Sequence, residues 1–195
     1  MKKMLIVLSI IAASCSSTVK IVQSWKAPDS SYAPVQFQKM LIIVLGKDEA
    51  FRSNAEDKIA SGSNAFHASH LIFPNKQIIG DEIRFKNVIK ENGFDGVVTV
   101  RLLSKDKENT WVAGNYTAGF WAFRSNVYPA YYQPGYFDEN TSYLIETTVF
   151  SMNQDKLLWS GITSITNPSS LKHATDEVLK EVIRQMKKDH FLAGK

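Results

Sequence analysis

The first folded segments show a strand pattern followed by a helix pattern. Residues 39–45 read Lys-Met-Leu-Ile-Ile-Val-Leu, and this aliphatic run predicts a strand that is buried on both faces. Asp48 follows at a position suited to a helix N-cap. Phe51, Ala55 and Ile59 then recur at every fourth residue, which predicts one apolar face of a helix.

Strand and helix patterns keep alternating up to residue 103. Residues 65–73 predict a weaker strand, and Asp81 is expected to cap a second helix. Gly93 suits the left-handed position just after that helix. Residues 96–103 predict another buried strand. This β-α-β-α-β order is typical of a mainly parallel sheet with helices on its faces.

The second half of the chain has a different pattern. It predicts a strand over 111–123, a loop over 124–141, two hairpin strands over 143–152 and 156–166, and a last helix capped by Ser169 or Ser170. We therefore expect a single α/β (α+β) domain over residues 37–195. The expected fold is a two-layer or three-layer sandwich, with three helices and a mixed sheet of about five or six strands, in the order β-α-β-α-β-(β)-β-β-α.

The amino terminus has the pattern of an export signal. Two lysines precede an apolar run over residues 4–13, and small residues then lead to Cys15. The run covers about ten residues, whereas a membrane-spanning helix needs roughly 20. We therefore expect residues 1–14 to be a cleaved signal peptide. Residues 15–36, which are mostly polar and contain two prolines, are expected to form a lipidated tether.

The residues before Cys15 resemble the lipobox of bacterial lipoproteins. The sequence there is Ala12-Ala13-Ser14-Cys15, with Ala12 where the motif usually has leucine. The resemblance implies that acyl chains such as palmitate modify Cys15 and anchor the chain to a membrane. Ser16 follows, with no aspartate nearby, which favours the outer membrane and a domain that faces the periplasm. A plain signal peptide with an incidental cysteine is the alternative.

The composition is that of an ordinary globular protein, with 44% hydrophobic and 22% charged residues. The formal net charge is +4, and two of the positive charges belong to the expected signal peptide. The mature chain is therefore close to neutral, so nothing in it indicates a nucleic-acid partner. Because the chain has one cysteine, it cannot form a disulfide within itself.

Four short motifs resemble those of a group of lipoproteins from Gram-negative bacteria that have no established chemistry. They are Ser24-Trp25-Lys26-Ala27-Pro28, residues 52–57, Asn92-Gly93-Phe94-Asp95-Gly96 and Leu158-Trp159-Ser160-Gly161. The order of elements is also similar to that of the amino-terminal domain of TolB and of the α/β domain of the curli-secretion lipoprotein CsgG. The resemblance implies an envelope location and an α/β sandwich, and it carries no catalytic residues to this chain.

No motif in the sequence indicates catalysis, a metal site or a cofactor. His67 and His70 lie in a predicted strand, where residues three apart point to opposite faces. Gly46-Lys47-Asp48 lacks the first glycine and the hydroxyl residue of a phosphate-binding loop. Nucleophile-elbow and zinc-protease motifs do not occur. The sequence therefore favours a non-enzymatic module, and a hydrolase whose site converges from distant positions is the alternative.

Several charged residues have expected structural roles. Arg52 and Glu56 stand at positions i and i+4, which favours an ion pair on the surface of the first helix. Asp95 precedes a buried strand, so we expect a turn residue or a buried polar anchor at the sheet edge. Glu146 lies inside a predicted strand and is expected to face solvent.

Residues 116–137 are the most unusual stretch of the chain, because aromatic rings alternate there with glycine and proline. A long loop in a compact domain is usually functional or disordered, and disordered segments are normally poor in aromatics. We therefore expect an interface for an envelope protein or a glycan. Its candidate binding residues are Tyr116, Phe120, Trp121, Phe123, Tyr128, Tyr131, Tyr132, Tyr136 and Phe137.

Two alternatives to this interface stay open at the level of sequence. The rings of residues 116–137 can instead cover one edge of the sheet. The chain can also be a subunit of an oligomeric secretion or assembly complex, and its composition does not fix an oligomeric state.

Overall fold

The computed structural model describes residues 18–28, 36–46, 48–73, 81–112 and 136–193. The expected signal peptide, Cys15 and residues 116–135 of the aromatic stretch lie outside the described residues. The described part folds as a mixed six-stranded sheet with four helices, which confirms the predicted α/β class. The predicted number of helices was three.

The described residues form ten strands and helices. They are β1 (Thr18–Lys26), β2 (Met40–Leu45), α1 (Glu49–Ala60), β3 (Phe66–Ala68), α2 (Ser69–Ile72), α3 (Glu82–Glu91), β4 (Gly96–Val112), β5 (Tyr136–Ser151), β6 (Lys156–Thr166) and α4 (Leu171–Lys188). In space the strands lie in the order β1-β6-β5-β4-β2-β3. Strand β2 runs parallel to β3 and β4, and the other pairs are antiparallel.

Strand β1 corrects the prediction of a tether over residues 15–36. Residues Thr18–Lys26 pair with β6 as the edge strand of the sheet, interrupted by one irregularity between Ile21 and Gln23. Val19 and Ile21 pack against the main apolar cluster. Apolar and polar residues alternate at this point, so the strand buries one face although the segment is polar overall.

The helices of the described part cover the two faces of the sheet unequally. On one face α1 and α4 pack over alternate residues of the strands, such as Ile42, Val149 and Ile165. On the other face α3 covers only the parallel half, where Leu41 and Val97 meet its Ile89. The fold is therefore a sandwich with one full helical layer and one partial layer.

Local signals in the sequence fix several helix ends as expected. Asp48, Asp81 and Ser170 each cap a helix, since each side chain accepts a hydrogen bond from a first-turn backbone N–H. Gly93 has a φ of 65° and ends α3 in the left-handed conformation. Asp95 anchors the start of β2, because its carboxylate accepts hydrogen bonds from the backbone N–H groups of residues 38 and 39.

Three predicted strand boundaries are wrong. Residues 65–73 form a three-residue strand followed by the short helix α2, so His67 lies on a strand and His70 on a helix. The strand predicted for 96–103 continues to Val112, so it includes the first two residues of the separate strand predicted over 111–123; residues 113–123 lie outside the described residues. Strand β5 begins at Tyr136, so residues 136–141 are strand and not the end of the loop predicted over 124–141.

A long hairpin at one end of the sheet

At the end of the sheet where β1 begins, four neighbouring strands have paired residues in one row. Thr18 pairs with Thr166 of β6, Thr166 pairs with Ser142 of β5, and Ser142 pairs with Asp106 of β4. These four residues form a single row across four strands. Strand β1 starts at this row and β6 ends there, so the row marks the limit of the common sheet.

Strands β4 and β5 continue beyond the row as a two-stranded stem. The pairing runs from Lys107 with Thr141 to Val112 with Tyr136. These six further pairs (107 to 112) extend the hairpin by about 20 Å at roughly 3.4 Å per residue. The stem therefore projects from the same end of the sheet from which the chain leads back toward Cys15.

Asn167 braces the base of the stem. Its backbone adopts a φ of 50°, a left-handed conformation that asparagine tolerates better than most residues. Its side-chain oxygen accepts a hydrogen bond of 2.8 Å from the Thr141 N–H, and its side-chain amide donates one of 2.6 Å to Asn140. The Asn167 N–H also donates to the Thr141 carbonyl. The residue that follows β6 thus connects the end of that strand to the base of the hairpin.

Charges of opposite sign alternate along β4 at the base of the stem. Lys105 and Lys107 alternate with Asp106 and Glu108, and all four residues are exposed. The Lys105 ammonium lies 5.4 Å from the centre of the Tyr143 ring, on the face of the sheet that carries α1 and α4. The acidic residues take the opposite face because side chains alternate along a strand.

The structure places two of the nine predicted binding residues on this hairpin. Tyr136 and Phe137 begin β5, and their backbones pair with Val112 and Trp111. The other predicted binding residues, Tyr116 to Tyr132, and the lipidation site Cys15 lie outside the described residues. Residues 113–135 connect Val112 to Tyr136 at the far end of the stem.

A buried charge cluster lies near the edge of the sheet opposite β1, where β2 pairs with β3. The sequence predicted these charges on the surface. Arg52 and Glu56 are 1% and 0% exposed. Because α2 packs over this part of α1, Glu56 accepts hydrogen bonds from the side chains of Arg52, Ser69 and His70 and from two backbone N–H groups, at 2.7–3.1 Å. The prediction of a surface ion pair is therefore wrong.

The hydrogen bonds of this cluster indicate a structural role. The Ser69 hydroxyl is fully buried and donates to Glu56, so it is not directed at a solvent-accessible position. The Arg52 guanidinium contacts Glu49, Glu56, Ser69 and the carbonyl of Phe73. His70 lies between Glu56 at 3.1 Å and Asp57 at 3.3 Å. Every named group already has partners within the fold, so the cluster joins α1, β2 and α2.

An apolar groove of about 250 Å³ lies beside α3, on the less covered face of the sheet. Ile43, Phe85 and Met152 contribute to its lining, and no lining side chain is ionisable. Glu146, on the same face, pairs with Arg101, so it faces a strand neighbour as well as solvent. The groove offers shape and apolar surface, and the hydroxyl of Thr99 in its lining is hydrogen-bonded to Thr148 at 2.6 Å.

Two further observations concern metals and membrane spans. Among residues 18–28, 36–46, 48–73, 81–112 and 136–193, no three His, Cys, Asp or Glu side chains are arranged to hold a metal ion. Within the same described ranges, none of the helices is both long enough and apolar enough to cross a bilayer.

Comparisons with known proteins give similarity of fold at low sequence identity. No family model and no curated protein matches the chain. Similar solved structures include the PelC dodecamer from Paraburkholderia phytofirmans, at a TM-score of 0.44 and 10% identity over 92% of this chain and 100% of that one. Lipoprotein GNA1162 from Neisseria meningitidis has a TM-score of 0.43 and 14% identity, over 77% of this chain and 98% of that one. The resemblance to TolB and CsgG stays a prediction, and these likenesses assign no family or ligand.

Proposed function

We propose that this chain is a non-enzymatic envelope lipoprotein, anchored by acylated Cys15 in the outer membrane on its periplasmic side, that binds another envelope component through residues 116–137. The component is expected to be a protein or a glycan. The observation that carries the proposal is the stem of β4 and β5, whose far end, about 20 Å beyond the row of Thr18, is the place where residues 113–135 join the described fold.

The stem supports a binding role because it extends beyond the apolar clusters that join the helices to the sheet. The apolar clusters that hold the helices on the sheet involve strand residues up to the level of Tyr143 and Ile165. Residues 107–112 and 136–141 extend beyond these clusters. Ordering a two-stranded extension costs roughly 1–2 kcal/mol of backbone entropy per residue. Rigid supports of this kind often position loops that bind other molecules.

The fully bonded charge cluster supports a role without catalysis. A catalytic acid or base needs contact with substrate or water, whereas Glu56 and Ser69 are fully buried and bonded to one another. The apolar groove, for its part, has no ionisable lining residue. These sites thus favour a binding module over the alternative of a hydrolase.

Deletion of residues 120–137 tests the proposal. The deletion strain and the parent strain are treated with a membrane-permeant cross-linker, and the partners captured with the chain are compared by mass spectrometry. We expect the partners to be lost with residues 120–137. A control variant replaces Asn153, Gln154 and Asp155, the exposed turn at the opposite end of the sheet, and should keep its partners. Unchanged partners in the deletion strain would contradict the proposal.

A second candidate function is assembly into an oligomer, and the position of β1 favours it. Within the described residues β1 pairs with β6 on one side only, and Val22 and Trp25 on this strand are 56% and 43% exposed. An edge strand of this length can pair with another chain. The mass of the delipidated protein in detergent tests this candidate. An oligomer that Val22→Lys dissociates supports it, and a monomeric parent protein removes it.

A further inference from the structure

We infer that β1 pairs with the β1 strand of a second copy of this chain, antiparallel and about a two-fold axis that passes between Val22 and Gln23. The inference rests on the second candidate function, assembly through β1, and it adds the partner, the symmetry and the register. In this pair the Lys20 ammonium of each copy lies against the Trp25 ring of the other.

The irregularity in β1 changes which residues share a face of the sheet. Before it, Val19 and Ile21 pack against the main apolar cluster. After it, Ser24 takes the same face, because its hydroxyl accepts a hydrogen bond from Gln185 of α4. In a regular strand, residues 21 and 24 would point to opposite faces. One extra residue at the irregularity, between Ile21 and Gln23, returns both to the face that α4 covers.

The exposure of residues 19–26 is symmetric about this irregularity. Read inward from either end, the side chains are half-buried, exposed, half-buried and exposed, and the two central residues are Val22 and Gln23. A two-fold antiparallel pair of strands requires this symmetry, because each residue must meet one that lies on the same face of the joined sheet. Strand β1 therefore matches a copy of itself along eight residues.

The charges of β1 favour the same register. With the axis between residues 22 and 23, Lys20 lies opposite Trp25, and Lys26 lies opposite Val19. A shift of one residue in one direction would place Lys20 opposite Lys26, so two like charges would meet. The same shift in the other direction would place the exposed Lys20 opposite the half-buried Ser24, on the wrong face.

The pair gives partners to exposed groups on the free edge of the sheet. Lys20 and Trp25 are both exposed and lie on the face opposite α4. An ammonium over a tryptophan ring is a favourable contact, and the symmetry makes it twice. Val22, which is 56% exposed, meets Gln23 at the axis. The backbone groups on the outer side of β1 gain hydrogen-bond partners at the same time.

Mixed cysteine cross-linking tests the register. The mature chain carries Cys15→Ser, so an introduced cysteine is the sole thiol. Lys20→Cys and Trp25→Cys are purified separately, one of them with an affinity tag. They are oxidised alone or as a mixture, at a concentration at which the parent chain is dimeric. In the proposed register, positions 20 and 25 of opposite copies lie about 5 Å apart, which a disulfide can bridge, whereas position 20 lies roughly 17 Å from its own equivalent.

We expect a disulfide-linked dimer from the mixture and none from either variant alone. The control is a mixture of Lys20→Cys and Gln154→Cys, whose second cysteine lies in the exposed turn between β5 and β6, and it should not cross-link. Lys20→Cys that cross-links with itself, or a mixture that fails to cross-link while the parent chain is dimeric, would overturn the register and leave assembly through β1 standing. A monomeric parent chain would overturn both.

Analytical ultracentrifugation of further variants measures the contact between Lys20 and Trp25. Lys20→Gln and Trp25→Leu should each raise the Kd of the dimer about 5-fold to 30-fold, because every dimer loses two ammonium–ring contacts. The double variant should raise it by less than the product of the single effects, because the two side chains are coupled. Lys90→Gln, the same change at an exposed lysine of α3, is the matched control. Equal Kd values for Lys20→Gln and Lys90→Gln would overturn the contact.

Discussion

Replacement of Glu56 by glutamine should destabilise the domain more than any change at an exposed charge. The carboxylate is 0% exposed and accepts hydrogen bonds on both oxygens. Glutamine retains one acceptor and places an N–H₂ group where the other oxygen was, so a donor then faces the N–H of His70 or that of Val44. The buried Arg52 also loses its fully buried counter-ion.

The magnitude follows from the burial of both partners. Removing one member of a buried ion pair costs about 3–5 kcal/mol, because the remaining charge stays buried and unpaired. Arg52 retains Glu49, but the Glu49 side chain is 52% exposed, so water screens that contact. We therefore expect Glu56→Gln to lower the free energy of unfolding by about 3 kcal/mol or more.

Urea unfolding of a Cys15→Ser form of the mature chain, followed by circular dichroism, measures this loss. Glu49→Gln is the matched control, since it removes a carboxylate that contacts the same guanidinium at 3.0 Å from the exposed side. It should cost less than about 1 kcal/mol. Arg52→Met combined with Glu56→Gln should cost less than the sum of the single changes, because the two side chains are coupled. Equal effects of Glu56→Gln and Glu49→Gln would show that the buried carboxylate stabilises the domain no more than the exposed one does.

Three further changes test other parts of the fold. Gly161→Ala should lower the free energy of unfolding by about 1–3 kcal/mol, because a Cβ at this position would lie 2.3 Å from the Trp159 ring. The near-ultraviolet circular dichroism should change as well, and an unchanged spectrum would contradict this packing. Asn167→Ala should speed amide exchange at the base of the stem more than Asn167→Gly does, since glycine tolerates the positive φ; equal rates would count against the role of backbone conformation. Arg184 donates hydrogen bonds to Glu181 and thereby holds the pKa of Glu181 below its ordinary value. The stabilisation is therefore present at neutral pH and lost as the pH falls through that lowered pKa, so the urea midpoint of Glu181→Gln should depend less on pH between about 5 and 3 than that of the parent.

The strands and helices with strong periodic patterns were predictable from sequence. The aliphatic run of β2, the hairpin of β5 and β6 and the caps of three helices follow from short-range chemistry. Strand β1 was missed because its polar content outweighed its alternation, although Val19 and Ile21 flank Lys20 with the period of two that a strand requires. The alternation was the signal that could have found it.

The buried charge cluster was harder to predict, because the spacing of Arg52 and Glu56 is the same for surface and buried pairs. What buries the pair is α2, which a strand prediction over 65–73 excluded. One signal was present: Arg52 and Glu56 share their helix face with Ala55 and Ile59, which are apolar and buried.

Residues of the four short sequence motifs connect elements of the fold. Asp95 anchors the start of β2, and Gly161 leaves room for the ring of Trp159. Ser24 accepts a hydrogen bond from Gln185 of α4, which holds β1 to the last helix. These residues have structural roles, and they identify no ligand. The proposed binding residues, 116–137, have a composition that predicts an interface but not its partner.

The proposed lipid anchor is tested by the intact mass of the protein purified from its native host membrane. We expect a chain that begins at Cys15 and carries a diacylglyceryl group on sulfur together with an amide-linked acyl chain. An unmodified Cys15 thiol, or a chain that retains residues 1–14, would contradict it.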